Sequence, residues 1–268
     1  MASHASHRLV TAPNLWPSRI RTVAATIACV AILTAMAIDL ELMPDRLFSG
    51  LGQVGKMFGS AFPPHPGGQF PRILRGLGET FAMAFAGTVI AVAVAIPLGL
   101  IGAKTIVPEP AVHFLIRRFL DLFRGVPALV WALILVSLFG LGPFGGVLAL
   151  ALADIPNLAK QFAESLENCD RAPVEGVRAA GAPPLMVVRY GLLPQIAPIW
   201  TSQSLYCLEG NFRNAGVLGI VAAGGIGYEL EERMRVFAYD EALFIILLFM
   251  ISVAFLDSIS AKIRAHLA

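Results

Sequence analysis

Long uncharged runs recur along the chain, with short polar stretches between them. The runs cover residues 22–38, 80–103, 125–153, 191–208 and 242–256. A helix needs about 20 mostly apolar residues to cross the hydrocarbon core of a membrane. The pattern therefore predicts a protein that crosses a membrane several times. The spans are expected to be helical, because lipid cannot satisfy free backbone groups.

The third run is too long for a single helix. Its middle reads GLGPFGG at residues 140–146, and glycines around Pro143 are typical of a turn. The run is therefore predicted to form a hairpin of two helices, near 121–140 and 144–166. This division brings the expected number of transmembrane helices to six, in an all-α membrane protein.

The first run has two interpretations. Arg8, Arg19 and Arg21 precede it, and residues 35–37 (Ala-Met-Ala) resemble a signal-peptide cleavage site. The apolar stretch 22–38 is longer than the roughly 7–15 residues of a signal peptide's apolar region, so a retained helix is favoured. Basic residues also indicate the orientation. With the N-terminus inside, cytoplasmic loops hold Lys and Arg in an excess of roughly two to one, so both termini are expected in the cytoplasm.

Composition agrees with a membrane protein. Hydrophobic residues make up 57% of the chain and charged ones 14%, and the mean hydropathy is +0.73. Soluble domains carry about 25% charged residues, so an ordinary soluble enzyme and a disordered chain are both disfavoured. The net charge of +2 provides no basic surface for nucleic acid. The three cysteines lie far apart in sequence and are predicted to be small buried side chains.

Motifs for catalysis are missing from the sequence. It has no G-x-x-x-x-G-K-[ST], no H-E-x-x-H and no G-x-S-x-G. We therefore expect no catalytic residue, no metal site and no cofactor in this chain.

A polar stretch at residues 164–194 interrupts the apolar pattern. Residues 175–180 favour a helix, Gly181 is expected to end it in a left-handed conformation, and residues 185–190 favour a second short helix. Pro194 marks re-entry into the membrane. The stretch is either a docking surface for a partner protein or a connector without a partner.

This stretch resembles the E-A-A-x(3)-G-x(9)-I-x-L-P loop of bacterial ABC importer permeases. Glu175, Gly181, Leu193 and Pro194 match its spacing, while Gly176 and Val177 replace the two alanines. In that family the loop forms a coupling helix that docks on a cytoplasmic ATPase. The resemblance implies that ATPase coupling involves six residues: Glu175, Ala179, Ala180, Gly181, Leu193 and Pro194.

Segments 76–103, 122–152 and 214–230 resemble the phosphonate-transport branch of these permeases. The resemblance implies a type I, MetI-like permease core at residues 71–268, with its coupling loop at 164–194. Residues 1–70 would supply an N-terminal tail, the first transmembrane helix and an outer loop. The implied function is import of phosphonates or related anions such as phosphite across the bacterial inner membrane.

The resemblance also implies partners. They are a second copy of this chain, two copies of a cytoplasmic ATPase that binds ATP and Mg²⁺, and a periplasmic or lipid-anchored substrate-binding protein. The alternatives are a permease of this family for another small solute, a passive channel, and an intramembrane enzyme of lipid metabolism.

Ionisable residues inside predicted spans are candidates for the translocation pathway, because such groups are costly in lipid. Glu209 and Arg213 lie four residues apart, so they share one helix face. They form an intrahelical ion pair, or Arg213 lends positive potential to an anion path while Glu209 restrains it. Asp154 is expected to pair with another helix or to carry a proton. Asn211, between the charged pair, is a further candidate.

A glycine-rich segment at 216–227 completes the candidate pathway, with Gly224, Gly225 and Gly227 as its members. Small residues pack membrane helices closely. They also permit irregular backbone whose N–H groups bind an anion. Both interpretations stay open at the level of sequence.

Overall fold

The computed structural model describes residues 16–39, 44–107 and 109–267. Throughout these residues the regular structure is helical, without a strand. The chain divides into two compact units, residues 1–59 and 60–268. The fold is that of an all-α membrane protein, as predicted.

The first unit contains α1 (Trp16–Asp39), and α2 (Pro44–Ala61) begins in it. The apolar side chains of α1 are exposed, with Val23, Ile27 and Val30 each more than half accessible. Cys29 is exposed as well, so the prediction that all three cysteines are buried was wrong. A helix with such a surface fits a membrane span, in which these side chains contact lipid.

The second unit is built around two long helices, α3 (Phe70–Gly102) and α6 (Pro143–Glu167). Glycines of α3 let α6 approach closely. A Cβ at Gly87 would lie 2.9 Å from Leu150 Cβ, and one at Gly99 would lie 2.8 Å from Phe162 Cβ. Small residues at the contact are the usual packing device of membrane helices.

The predicted helix near 121–140 is broken in the structure. Its first residues, 121–124, are the end of α4 (Pro110–Arg124), and most of the rest forms α5 (Ala128–Phe139). The axes of α4 and α5 differ by 81°. The break contains Gly125 and Pro127. Proline has no N–H for the helix ladder and disfavours helical backbone in the residue before it. The turn predicted at 140–146 is confirmed, with Gly140 and Gly142 at positive φ of 89° and 139°.

The remaining helices lie within the polar loop 164–194 or follow it. They are α7 (Arg171–Ala179), α8 (Pro184–Met186), α9 (Leu193–Leu218), α10 (Ile226–Arg235) and α11 (Tyr239–Leu267). A π-helical segment, Val187–Leu192, joins α8 directly to α9. The second short helix predicted at 185–190 is therefore the beginning of the next long helix.

Among the described residues, α1, α3 and α11 are long and apolar enough to cross a membrane, and α4 with α5 adds a bent fourth candidate. The helices α6 and α9 were also predicted as spans. They have 25 and 26 residues, sufficient to cross, but carry several polar side chains. These polar side chains define the candidate site.

Candidate functional site

A groove lined by polar side chains runs between α6 and α9. It consists of two cavities of about 300 and 430 Å³, and Gln161 and Gln203 contribute to the lining of both. We call this feature the polar groove. Its further polar lining residues are Asp154, Asn157, Glu164, Ser165, Asn168, Gln195, Tyr206, Cys207, Asn211 and Asn214. Amides at the depth of membrane helices need water or a partner, so the groove is a candidate aqueous path.

Asp154 and Asn211 lie in the same cavity of the polar groove. The Cys207 thiol donates to Asp154 Oδ2 at 3.1 Å, and Asn211 Nδ2 donates to Thr88 Oγ1 at 3.0 Å. Asp154 therefore pairs with a side chain of another helix, which is one of its two predicted outcomes. Asn211 Oδ1 and Gln203 Oε1 are buried and lack hydrogen-bond partners within the described chain. Unsatisfied amides of this kind are positions where water or a ligand binds.

Glu209 and Arg213 do not pair with each other, so the predicted intrahelical ion pair was wrong. Arg264 of α11 donates to Glu209 Oε1 at 2.5 Å, and Arg213 Nη1 lies 3.3 Å from both carboxylate oxygens of Asp257. The helix α11 runs antiparallel beside α9. It therefore places the cation Arg264 next to Glu209 and the carboxylate of Asp257 next to Arg213. Arg264 also lies over a ring of α9, with its guanidinium 4.0 Å from the Tyr206 centroid.

The exposure of the two pairs differs. Glu209 is buried, whereas the Arg213 side chain is half exposed. Glu209 and its partner thus hold two helices together inside the protein. Arg213 retains an accessible guanidinium but points to α11, whereas α9 lines the polar groove with Gln203, Cys207 and Asn211.

The glycine-rich segment packs its own backbone closely. A Cβ at Gly219 would lie 2.6 Å from the Gly227 Cα, and a Cβ at Gly227 would meet the carbonyl oxygen of Gly216. Gly224 and Gly225 have positive φ of 83° and 77°, which side chains disfavour. Packing therefore accounts for these glycines.

The N–H groups at the end of this segment are already bonded. Gly225 N–H donates to Glu79 Oε2 at 3.3 Å, and Ile226 N–H donates to Thr80 Oγ1 at 2.8 Å. Both acceptors lie on α3. These two N–H groups therefore tie α10 to α3 in this conformation, in place of the predicted role in binding an anion.

The polar loop 164–194 contains the candidate docking surface, which we call the docking surface. Asp170 caps α7 by accepting from the Ala172 N–H at 3.0 Å. Gly181 has φ +77°, which confirms the predicted left-handed turn. Leu185 and Tyr190 expose 80% and 59% of their surface after this turn. Such large apolar groups at a helix–turn–helix corner fit a groove on another protein.

The candidate coupling residues lie along this surface. Glu175 and Ala179 are exposed on α7, and Ala180 follows at its end. Leu193 and Pro194 form the first turn of α9, where the missing N–H of proline costs little. The docking surface and the start of a long membrane helix are thus continuous.

Sequence reasoning missed the polar stripe of α6. Asn157, Gln161, Glu164 and Asn168 recur at spacings of four, three and four residues, so they share one helix face. The same period was visible in the sequence, but the predicted pathway consisted of ionisable residues, Asn211 and glycines. On α9, Gln195, Gln203 and Asn214 carry a weaker signal because they are spread over five turns.

Comparisons with known proteins point in one direction. Residues 95–267 match the model of the family described as "Binding-protein-dependent transport system inner membrane component". A phosphite transport system permease protein of Stutzerimonas stutzeri is 39% identical over 237 residues, which cover 88% of this chain and 86% of that protein. A phosphate-import permease protein of Mycolicibacterium smegmatis is 33% identical, over 90% of this chain and 44% of that protein.

The fold has solved counterparts. A chain of the MetNI methionine ABC transporter, in an inward-facing conformation, matches with a TM-score of 0.65. The two sequences are 21% identical, and the match covers 76% of this chain and all of that chain. This likeness concerns the fold alone, and it agrees with the MetI-like core expected from the sequence.

Proposed function

The chain belongs to the family of binding-protein-dependent transport system inner membrane components, and from that premise we propose that it is the permease subunit of an ATP-driven importer for phosphite or phosphonates. The observation that carries the proposal is the 39% identity to a phosphite permease over most of both chains. The protein is a multi-pass membrane protein whose family works with an ATPase and a substrate-binding protein.

Chemistry of the polar groove supports passage of a small anion. Amide N–H groups of Asn157, Gln161 and Gln203 can hydrogen-bond phosphorus-bound oxygens without the strong attraction of a fixed cation. Weak contacts suit a path, because the substrate must leave it as readily as it enters. Selectivity then resides mainly in the binding protein that delivers the substrate.

Coupling to ATP follows from the docking surface. We place ATP and Mg²⁺ in two partner ATPase subunits, whose grooves receive the exposed corner at Leu185 and Tyr190. Closure of the ATPases moves α7 and α8, and α9 moves with them because the π-helical segment joins α8 to α9. Two copies of the permease then rock between inward-open and outward-open states, which is a two-state rigid-body transition.

The proposed orientation has both termini in the cytoplasm. Lys104 N–H and Arg117 Nη2 both donate to Glu167, at 2.9 and 3.0 Å. These contacts place the basic connection before α4 at the same end of the bundle as the docking surface. Lys104 and Arg117 thus lie on the side of the ATPase-docking loop, which agrees with the positive-inside rule.

Phosphate is the second candidate substrate, because one relative is named a phosphate importer. An intramembrane enzyme is less well supported. Asp154, Glu209 and Arg213 each have a separate partner and do not converge on one reacting centre.

A growth and uptake assay tests the proposal. The permease is expressed with its neighbouring ATPase and binding protein in cells that lack other phosphite and phosphonate importers. We expect ATP-dependent uptake of phosphite or methylphosphonate, with phosphate as the competing substrate. Uptake of phosphate alone would replace the proposed substrate with the second candidate. Uptake of none of the three anions would refute the proposed function.

A further inference from the structure

The helix α4 carries charges that the hydrocarbon core does not tolerate. Arg118, Asp121 and Arg124 are all exposed, and each would be costly in lipid. On another face of the helix, Leu115, Phe119 and Leu122 expose 70%, 54% and 69% of their surface. A helix with one charged face and one exposed apolar face is typical of a helix that lies in the plane of the membrane interface. The 81° bend before α5 allows this orientation.

A cavity of about 720 Å³ opens beside α4, toward α6 and the connection after α3. We call it the basic pocket. Its cationic lining residues are Lys104, Arg117, Arg118 and Lys160, and its acidic lining residue is Asp121. The pocket therefore has a net positive charge, with four cationic side chains and one carboxylate in its lining.

The cations of the basic pocket are only partly neutralised. Arg117 is held by Glu167, whose two oxygens lie 3.0 and 2.9 Å from its Nη2. Lys160 and Arg118 share Asp121, at 3.3 and 3.9 Å. This shared pairing uses one carboxylate for two cations and leaves donors directed into the cavity.

Two buried polar atoms mark the same place. His113 Nδ1 and Arg117 Nε are buried and have no hydrogen-bond partner among the residues that the structure describes. Both residues line the basic pocket. Buried polar groups without protein partners are positions where water, an ion or a ligand binds.

We propose that the basic pocket binds the phosphate of an anionic phospholipid headgroup in the leaflet next to the docking surface. The headgroup phosphate would lie between Arg118, Lys160 and His113. The acyl chains would lie along the exposed Leu115 and Phe119 of the same helix. A phosphate beside an exposed apolar stripe is the arrangement that a lipid satisfies and a soluble anion does not.

The position of the pocket links the lipid to coupling. Glu167, which holds Arg117, is the last residue of α6, and three residues separate it from α7. A bound headgroup would compete with Glu167 for Arg117. The site is independent of the substrate proposed above.

The test measures lipid retained by the full-length chain. The protein is purified in detergent with equal amounts of phosphatidylglycerol and phosphatidylcholine of the same acyl chains, and bound lipid is counted by native mass spectrometry. The variant Arg118→Gln with Lys160→Gln removes two pocket cations, whereas Asp121→Asn removes the carboxylate. Lys56→Gln with Arg75→Gln removes two exposed cations elsewhere and serves as the matched control.

We expect wild-type protein to retain phosphatidylglycerol selectively. Each pocket cation removed should lower that retention roughly fivefold. Asp121→Asn should raise it, and the control should leave it unchanged. Because Asp121→Asn shifts retention in the opposite direction, the prediction stays testable if the double variant does not fold.

Three results would overturn the proposal. The first is equal retention of phosphatidylglycerol by wild type and all pocket variants. The second is displacement of the bound anion by millimolar inorganic phosphate, which would indicate a site for soluble anions. The third is loss of the lipid when the partner ATPase is added, which would make the pocket a protein interface.

Discussion

Asp170 and Gln195 are joined by a reciprocal pair of hydrogen bonds. The Asp170 N–H donates to Gln195 Oε1 at 3.1 Å, and Gln195 Nε2 donates back to the Asp170 carbonyl at 3.2 Å. The side-chain amide thus pairs with both backbone polar groups of Asp170, the residue that caps α7. Gln195 Nε2 also donates to the Gly191 carbonyl at 2.7 Å. One glutamine therefore fastens the docking surface to the first turn of α9.

Replacing this glutamine should weaken coupling. Gln195→Leu keeps the volume of the side chain but removes its three hydrogen bonds, each contributing about 0.5–1.5 kcal/mol. We expect ATP hydrolysis by the assembled transporter to persist while substrate uptake per ATP falls severalfold. Gln195→Glu keeps the acceptor for the Asp170 N–H. Its substrate uptake per ATP should therefore lie between the values of the wild type and Gln195→Leu. Unchanged uptake per ATP in Gln195→Leu would show that the two elements move independently.

Gly181→Val should disrupt the docking surface. Its φ of +77° disfavours a side chain, although nothing lies within 4 Å of the added Cβ. The cost is then conformational, about 1 kcal/mol or more. We expect reduced ATPase binding in a pull-down and loss of uptake, with normal membrane insertion. Gly176→Val is the matched control, since Gly176 also has open space but ordinary helical backbone. Normal uptake by Gly181→Val would contradict the role given to the turn.

Melting temperatures of single and double variants should reveal the ion pair between Glu209 and Arg264. Glu209→Gln leaves Arg264 without its partner in a largely buried position, so the melting temperature should fall. Adding Arg264→Gln should recover part of the loss, because removing both charges is less costly than leaving one. Adding Arg213→Gln instead should bring no recovery. Rescue by Arg213→Gln would restore the intrahelical pair predicted from the sequence.

An apolar side chain in the polar groove should slow transport. Gln161→Leu removes a side chain that lines both cavities, and a hydrogen bond to a charged group contributes about 1.5–3 kcal/mol. Uptake should therefore drop about tenfold or more, with ATPase assembly unchanged. Thr201→Val is the control, since the Thr201 hydroxyl bonds to its own helix at Ala197. An equal decline in both variants would argue against the groove as the path.

Membrane topology can be tested with impermeant thiol reagents in a background without native cysteines. Val236 is 66% exposed after α10, and Glu109 is exposed before α4. We expect Val236→Cys to react in intact cells and Glu109→Cys to react only after permeabilisation. The reverse pattern would invert the proposed orientation and would place the docking surface outside the cell.

Structural features that depend only on residues close together in the sequence could be predicted. The turn at 140–146 and the left-handed Gly181 follow from glycine and proline chemistry alone, which acts over a few residues. The bend between α4 and α5 was missed although Gly125 and Pro127 were visible. Hydropathy is averaged over a window, so it does not register a break of three residues at the beginning of the apolar run 125–153.

The partners of Glu209 and Arg213 could not be predicted in this way. Spacing along one helix favours the residue four positions away, which is a local argument. Arg264 lies 55 positions from Glu209, and Asp257 lies 44 positions from Arg213. Only the packing of α11 against α9 brings these charges together. Pairings between distant helices require the tertiary structure.

The polar groove has a consequence for the life of the protein in the cell. Acyl chains cannot hydrogen-bond the amides of Asn157, Gln161 and Gln203, so a solitary copy released into the bilayer exposes them at a continuing energetic cost. Association with a second subunit would bury or hydrate that surface. A subunit made in excess of its partners should thus resemble a misfolded chain to membrane quality-control proteases. Its abundance would then be set by degradation of unassembled copies, and synthesis would fix only the upper limit.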